Sequence, residues 1–151
     1  MAPGGCAVTG DDATRLDAYQ YVTLRCVPRV EREEFVNVGV VLHCPMRDFL
    51  GIRTVVDEPR LRALHDAVDV AAVQAALAAL DRICRGEEQA SFGVGVRATA
   101  YGTREARDDL GTRFGLIKAP RSTVIQPSPV HGGMTSDPSE TLERLLESLV
   151  R

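Results

Sequence analysis

Tryptophan is absent from this chain, aromatic residues of all kinds make up 5% of it, and lysine occurs once, at Lys118. Seventeen of the eighteen basic residues are therefore arginine, a bias that a GC-rich genome explains more simply than chemistry does, and it points to a bacterial source. No apolar run approaches the ~20 residues of a membrane helix. Met1 to Asp17 lacks the basic-then-apolar order of a secretory signal, so a cytoplasmic protein without membrane association is expected.

Other absences exclude whole classes of chemistry. There is no G-x-S-x-G elbow, Walker loop or H-E-x-x-H helix. Cys6, Cys26, Cys44 and Cys84 form no C-x-x-C pair, which speaks against a metal or disulfide framework and for a reducing compartment. His43, His65 and His131 lie far apart and share no ligand spacing, so neither a metal nor any other cofactor is expected. Glu33 and Glu34 are adjacent and would point to opposite faces of a strand, so they cannot act as a paired acid and base. With a net charge of -3, the chain also lacks the basic excess of a non-specific nucleic-acid binder, which makes nucleic acid an unlikely partner.

What remains is ordinary globular material: 44% apolar and 26% charged over 151 residues, enough for one core. Residues 1–17, small, polar and acidic, read as a disordered N-terminal tail, and residues 18–151 as a single domain. Three β-rich runs follow the tail. Tyr19–Val27 alternates Val22, Leu24 and Cys26 against polar neighbours; Phe35–Cys44 alternates Val36, Val38, Val40 and Leu42 against Phe35, Asn37, Gly39, Val41 and His43; Phe49–Val56 places Leu50, Ile52 and Val56 on one side. Asp57 with Pro59 starts a short helix, and Asp69 caps a longer one whose stripe is Val70, Val73, Leu77, Leu80 and Cys84, ended by Gly86.

Residues 87–103 read as a loop, because the glycines of G-V-G-V follow a helix instead of a strand, and Arg104 to Leu110 reads as a short helical stretch. Ser122–Gln126 reads as a strand that Pro127 and Pro129 end. Asp137, Pro138 and Glu140 open a closing helix with the apolar face Leu142, Leu145, Leu146 and Leu149. The sum is an α+β fold: a mainly antiparallel sheet of about four strands with helices packed on one face.

Two segments, VPRVEREEFVNVGVVLHC and APRSTVIQPSPVHGG, resemble the hallmark stretches of a bacterial family, domain of unknown function 3037, over about residues 19–151. The resemblance implies a one-domain bacterial cytoplasmic protein and no established activity, cofactor or catalytic residue. It also implies a partner to consider, a HipA-type serine/threonine kinase encoded nearby.

Polar side chains gather in two places. Arg121, Ser122, Thr123, Gln126, Ser128 and His131 combine a guanidinium, hydroxyls and an imidazole between prolines, a set able to hold a phosphate or carboxylate. The same hydroxyls can equally satisfy an irregular turn. Arg29, Arg32, Glu33, Glu34 and Asn37 form a charged connector meeting a strand, where Asn37 is the member best placed to read a ligand and Gly39 marks a bulge or a close backbone approach. The expected function is a non-catalytic interaction or regulatory module that binds a protein partner. The alternative is a phosphate- or nucleotide-recognising enzyme in which Arg121 grips the anion, His131 moves a proton, and Arg25 and Asn37 complete the pocket. The two differ in geometry: an enzyme needs these groups to converge, whereas a binding surface can spread them out.

Overall fold

The computed structural model describes residues 15–86, 109–119 and 123–151. The expected 87–103 loop and residues 104–108 of the expected short helix lie outside that range, as do Arg121 and Ser122 and residues 1–14.

Five antiparallel strands form one sheet: β1 (Asp17–Cys26), β2 (Val36–Cys44), β3 (Phe49–Thr54), β4 (Ile125–Pro127) and β5 (His131–Thr135). β2 lies between β3 and β1. The far side of β1 is shared, with Leu24 to Cys26 pairing β4 and Asp17 to Tyr21 pairing β5. Both hairpin connections use the same device, a 3-10 turn (Val30–Arg32, Pro45–Arg47) closed by a left-handed residue, Glu33 at φ 59° and Asp48 at φ 50°.

The described residues also form four helices: α1 (Glu58–Leu64), α2 (Val70–Arg85), α3 (Leu110–Lys118) and α4 (Pro138–Leu149). Each has an aspartate at its N-cap, Asp57, Asp69, Asp109 and Asp137, whose carboxylate accepts from the third residue beyond it and satisfies a donor the helix leaves open.

The α+β antiparallel sheet is as expected, but the helices do not share one face. Val22, Leu24, Cys26, Val41 and Ile52 pack under α2 and α3 with Val73, Leu77, Ile83, Phe114 and Ile117. On the opposite face Val40, Leu42 and Cys44 pack under α4 with Leu142, Leu146 and Val150. The reason lies in β2. Leu24 pairs with Gly39 but Arg25 pairs with Asn37, so Val38 is an extra residue, a β-bulge. The bulge breaks the expected alternation: Val36 and Val38 join the first core, while Val40 and Leu42 join the second. Both faces of the sheet thereby become apolar, and each needs its own helical cover.

Gly39 serves the bulge because a Cβ there would stand 2.9 Å from the Arg53 carbonyl oxygen and 3.3 Å from Leu24 Cδ1. β5 was not anticipated, since His131-Gly132-Gly133 has little strand propensity. Its glycine has a packing reason: a Cβ on Gly133 would lie 2.6 Å from the Tyr19 hydroxyl, so the tyrosine side chain occupies that space. Asp17, grouped with the tail by sequence, is the first residue of β1 and is buried, pairing with Thr135 across the ladder.

Candidate functional site

The backbone of β1 brings three of the expected site residues into line. Arg25 has Asn37 opposite it on β2 and Gln126 opposite it on β4, so the three form one row across three strands. Directly opposed residues in an antiparallel ladder put their side chains on the same face, and Asn37 shows which: its Nδ2 donates to the Leu149 carbonyl of α4 at 3.0 Å. The row is therefore on the α4 face, just past the end of that helix. Arg60 joins this end as well, its Nη1 donating to the Val150 carbonyl at 2.8 Å, so two side chains cap the carbonyls the helix leaves open.

Arg25 differs from most of its kind in this chain. Arg29, Arg32, Arg53, Arg62 and Arg85 all pair with carboxylates of exposed neighbours. Arg25, half-buried, has no acidic partner among the described residues, and its buried Nε donates to nothing there. Its guanidinium carbon lies 4.2 Å from the centroid of the Phe35 ring, a cation–π contact that fixes the plane of the group. Across the ladder, the Oδ1 of Asn37 is also buried and accepts from nothing. A donor and an acceptor without partners thus sit on neighbouring strands. Phe35, 43% exposed, forms an apolar margin beside them. Sequence reading singled out Arg25, Asn37 and Gln126 but took Phe35 only for the outer side of a strand.

The remaining candidates fall elsewhere. His131 is exposed on β5, opposite Tyr21, and the two rings stand 5.2 Å apart. Tyr21 and Arg25 are four residues apart on one strand, so the histidine lies about 13 Å along the sheet from the Arg25 row. Thr123 serves the turn into β4, its Oγ1 donating to the Ile125 carbonyl, and Gln126, although in the Arg25 row, turns its Nε2 back to the Thr123 carbonyl, each at 2.8 Å. Arg121 and Ser122 lie outside the described residues.

Ser128, at the junction of β4 and β5, takes the part of a strand residue. Its N–H donates to the Thr23 carbonyl at 2.8 Å, its Oγ accepts from the Thr23 N–H at 2.9 Å, and the hydroxyl hydrogen goes to the Pro129 carbonyl at 2.8 Å. Buried, with its hydroxyl both donating and accepting, it holds the two short strands against β1.

The buried cysteines Cys26 and Cys84 are equally unsuited to chemistry. Burial pushes the Cys26 thiol up to about 11 and the Cys84 thiol up to about 12, which suppresses the reactive thiolate. His43, half-buried with its ring 5.3 Å from Phe114, is held below the ordinary imidazole value by desolvation and then by the charge of Lys118, against the pull of Asp109. A cavity of about 580 Å³ opens between α2 and the β1–β4 side of the other face, lined by Leu24, Val68, Val73, Leu80, Ile117 and Ile125. Of the described candidate residues only Thr123 reaches its wall.

The described residues form a small α/β/α-layered domain with a partly polar sheet surface beside a helix end and no converging acid, base and nucleophile among them. By sequence the chain belongs to the family described as "Protein of unknown function (DUF3037)", whose profile matches residues 21–150. No curated protein and no solved structure is significantly similar to it. No helix among the described residues is long and apolar enough to cross a membrane.

Proposed function

We propose that this chain is a non-catalytic interaction module of the bacterial cytoplasm that binds a protein partner through the row Asn37–Arg25–Gln126 and the Phe35 margin beside it. The observation that carries the reading is the spacing: the Arg25 row and His131 stand about 13 Å apart along β1, as suits an extended contact and not a reacting centre. Arginine and aromatic side chains are also both enriched at protein interfaces, and Arg25, without an acidic partner among the described residues, stands beside the exposed Phe35. A HipA-type serine/threonine kinase is the first partner to try, on the strength of the family resemblance alone.

The unpaired Arg25 also favours a second reading, an anion-recognising enzyme using Arg121 and His131. One experiment separates the two. Tagged wild-type protein, Arg25→Ala and His131→Ala are compared for capture of partners from bacterial lysate and for thermal stabilisation by nucleotides, sugar phosphates and simple anions. A protein retained by the wild type and lost with Arg25→Ala supports the module. Stabilisation by a phosphate compound that both variants abolish, with no partner captured, overturns it in favour of the enzyme.

A further inference from the structure

We infer that the cavity of about 580 Å³ between α2 and the β1–β4 side of the sheet is a binding site for an uncharged, mainly hydrocarbon small molecule with one hydrogen-bonding end. The cavity lies on the face opposite the Arg25 row: Leu24 is part of its wall, and the next side chain along β1 points the other way. Its room comes from α2, which turns Ala72, Ala76 and Ala79 toward it beside Val73, Leu80 and Ile83, and each alanine leaves unfilled the space a leucine would take. Ile117, Ile125, Pro28 and Pro127 add further apolar wall. The size fits a small ligand. An apolar cavity of about 150 Å³ takes up one benzene, so the present volume accommodates about four such units, within the ordinary range of ligand pockets.

Water holds such a space poorly. An ordered water needs two to four polar partners, and the described part of the wall offers three polar side chains, His65, Asp69 and Thr123. Two of them are already engaged: Asp69 Oδ1 accepts from the Ala72 N–H at 3.0 Å, and Thr123 Oγ1 donates to the Ile125 carbonyl at 2.8 Å. That leaves the His65 imidazole to meet a hydroxyl or carbonyl of the ligand. Displacing poorly held water with apolar groups gains affinity.

The wall also selects against charge. Eighteen of the 151 residues are basic, yet no arginine or lysine is among the described lining residues. A carboxylate or phosphate head therefore finds no cation there and is repelled by Asp69. The charge of Asp69 is itself spent on the positive end of α2, where a cationic head is unwelcome. A neutral head meets neither obstacle.

Three probes share one chain and differ in the head: 1-octanol, octanoate and octylammonium. Each is titrated at neutral pH while the methyl resonances of Val73, Leu80, Ile117 and Ile125 are followed in carbon-13 spectra. Octanol should give saturable shifts, at a concentration about tenfold or more below either ion. His65→Phe, which keeps a ring and loses the hydrogen bond, should weaken octanol about 2–10-fold. Ala76→Leu fills the cavity and should abolish the shifts with the melting temperature unchanged or raised. Ala72→Leu, at a more exposed point of the same wall, answers the question where Ala76→Leu does not fold. Ala78→Leu, on the exposed side of α2, should bind octanol as the wild type does.

Shifts that do not saturate, either ion saturating at the same or a lower concentration than octanol, or undiminished octanol binding by a folded Ala76→Leu or Ala72→Leu protein overturns the inference. Partner capture through Arg25 reads the opposite face of the sheet and is unaffected by either result.

Discussion

Replacing Ser128 by alanine tests the structural role assigned to that residue. The substitution removes one oxygen. That oxygen accepts the Thr23 N–H at 2.9 Å in a position where both residues are buried, Thr23 at 6% exposure and Ser128 at 3%. The Thr23 N–H faces the gap between β4 and β5, where no strand carbonyl meets it, so the variant leaves a buried donor unpaired. Such a loss costs about 1–3 kcal/mol, or about 2–4 °C of melting temperature per kcal/mol in a domain of this size. Urea unfolding followed by circular dichroism should show the midpoint fall with the slope unchanged, and the Thr23 amide should exchange its hydrogen faster than in the wild type. Ser148→Ala provides the control: its hydroxyl donates to the Arg144 carbonyl on an exposed helix turn and should change stability by less than about 0.5 kcal/mol. A Ser128→Ala protein as stable as wild type, with Thr23 protection intact, would refute the account of the β4–β5 junction.

Gly39→Ala should destabilise by about 1–3 kcal/mol, because the new methyl meets backbone that cannot swing aside, and chemical denaturation reads the change. Leu142→Ala, on the fully buried inner side of α4, should cost about 2–5 kcal/mol, measured in the same way. Acid unfolding should be sensitive to Asp17: burial pushes its carboxyl up, but hydrogen bonds from Arg47 and Arg15 and their charges outweigh this and hold it below the ordinary 3.8. Its folded value is therefore depressed, so its contribution is complete above the unfolded value and fades as the pH falls through the folded one. Asp17→Asn should accordingly flatten the stability–pH curve on that acid limb, and an unchanged limb would show that other carboxylates set it.

Much of the first core was legible in the sequence. The stripe Val73–Leu77–Leu80–Cys84 and the alternation Val22–Leu24–Cys26 are periodic enough to fix both partners of that contact. The aspartate caps at Asp57, Asp69 and Asp137 were legible for the same reason, since a single residue type in a fixed place does the work. The second core was not. Val36 to Leu42 alternates without a break on paper, and only the pairing of Arg25 with Asn37 shows that the strand changes phase at Val38. β5 was hidden because its pairing depends on backbone and on the space Gly133 yields to Tyr19, neither of which has a side-chain pattern. For the site, residue type pointed to Arg25, Asn37 and Gln126 but could not show that they form one row, since that depends on three registers at once. It also grouped His131 with Gln126 by closeness in sequence, although β4 and β5 meet different ends of β1.

The bulge in β2 also bears on how this chain tolerates changes of length. The strand holds one residue more than its ladder with β1 requires, and that residue, Val38, points into the core at 0% exposure. Delete it and the strand can straighten, with Asn37, Val40 and Leu42 keeping the α4 face and Val36 and Val41 keeping the other. A Val38 deletion should therefore still fold, weakened by one lost core side chain, and circular dichroism with denaturation checks it. In most strands a single-residue deletion turns half of the side chains inside out; here the sheet carries a slack link at the point where its two cores and the Arg25 row meet.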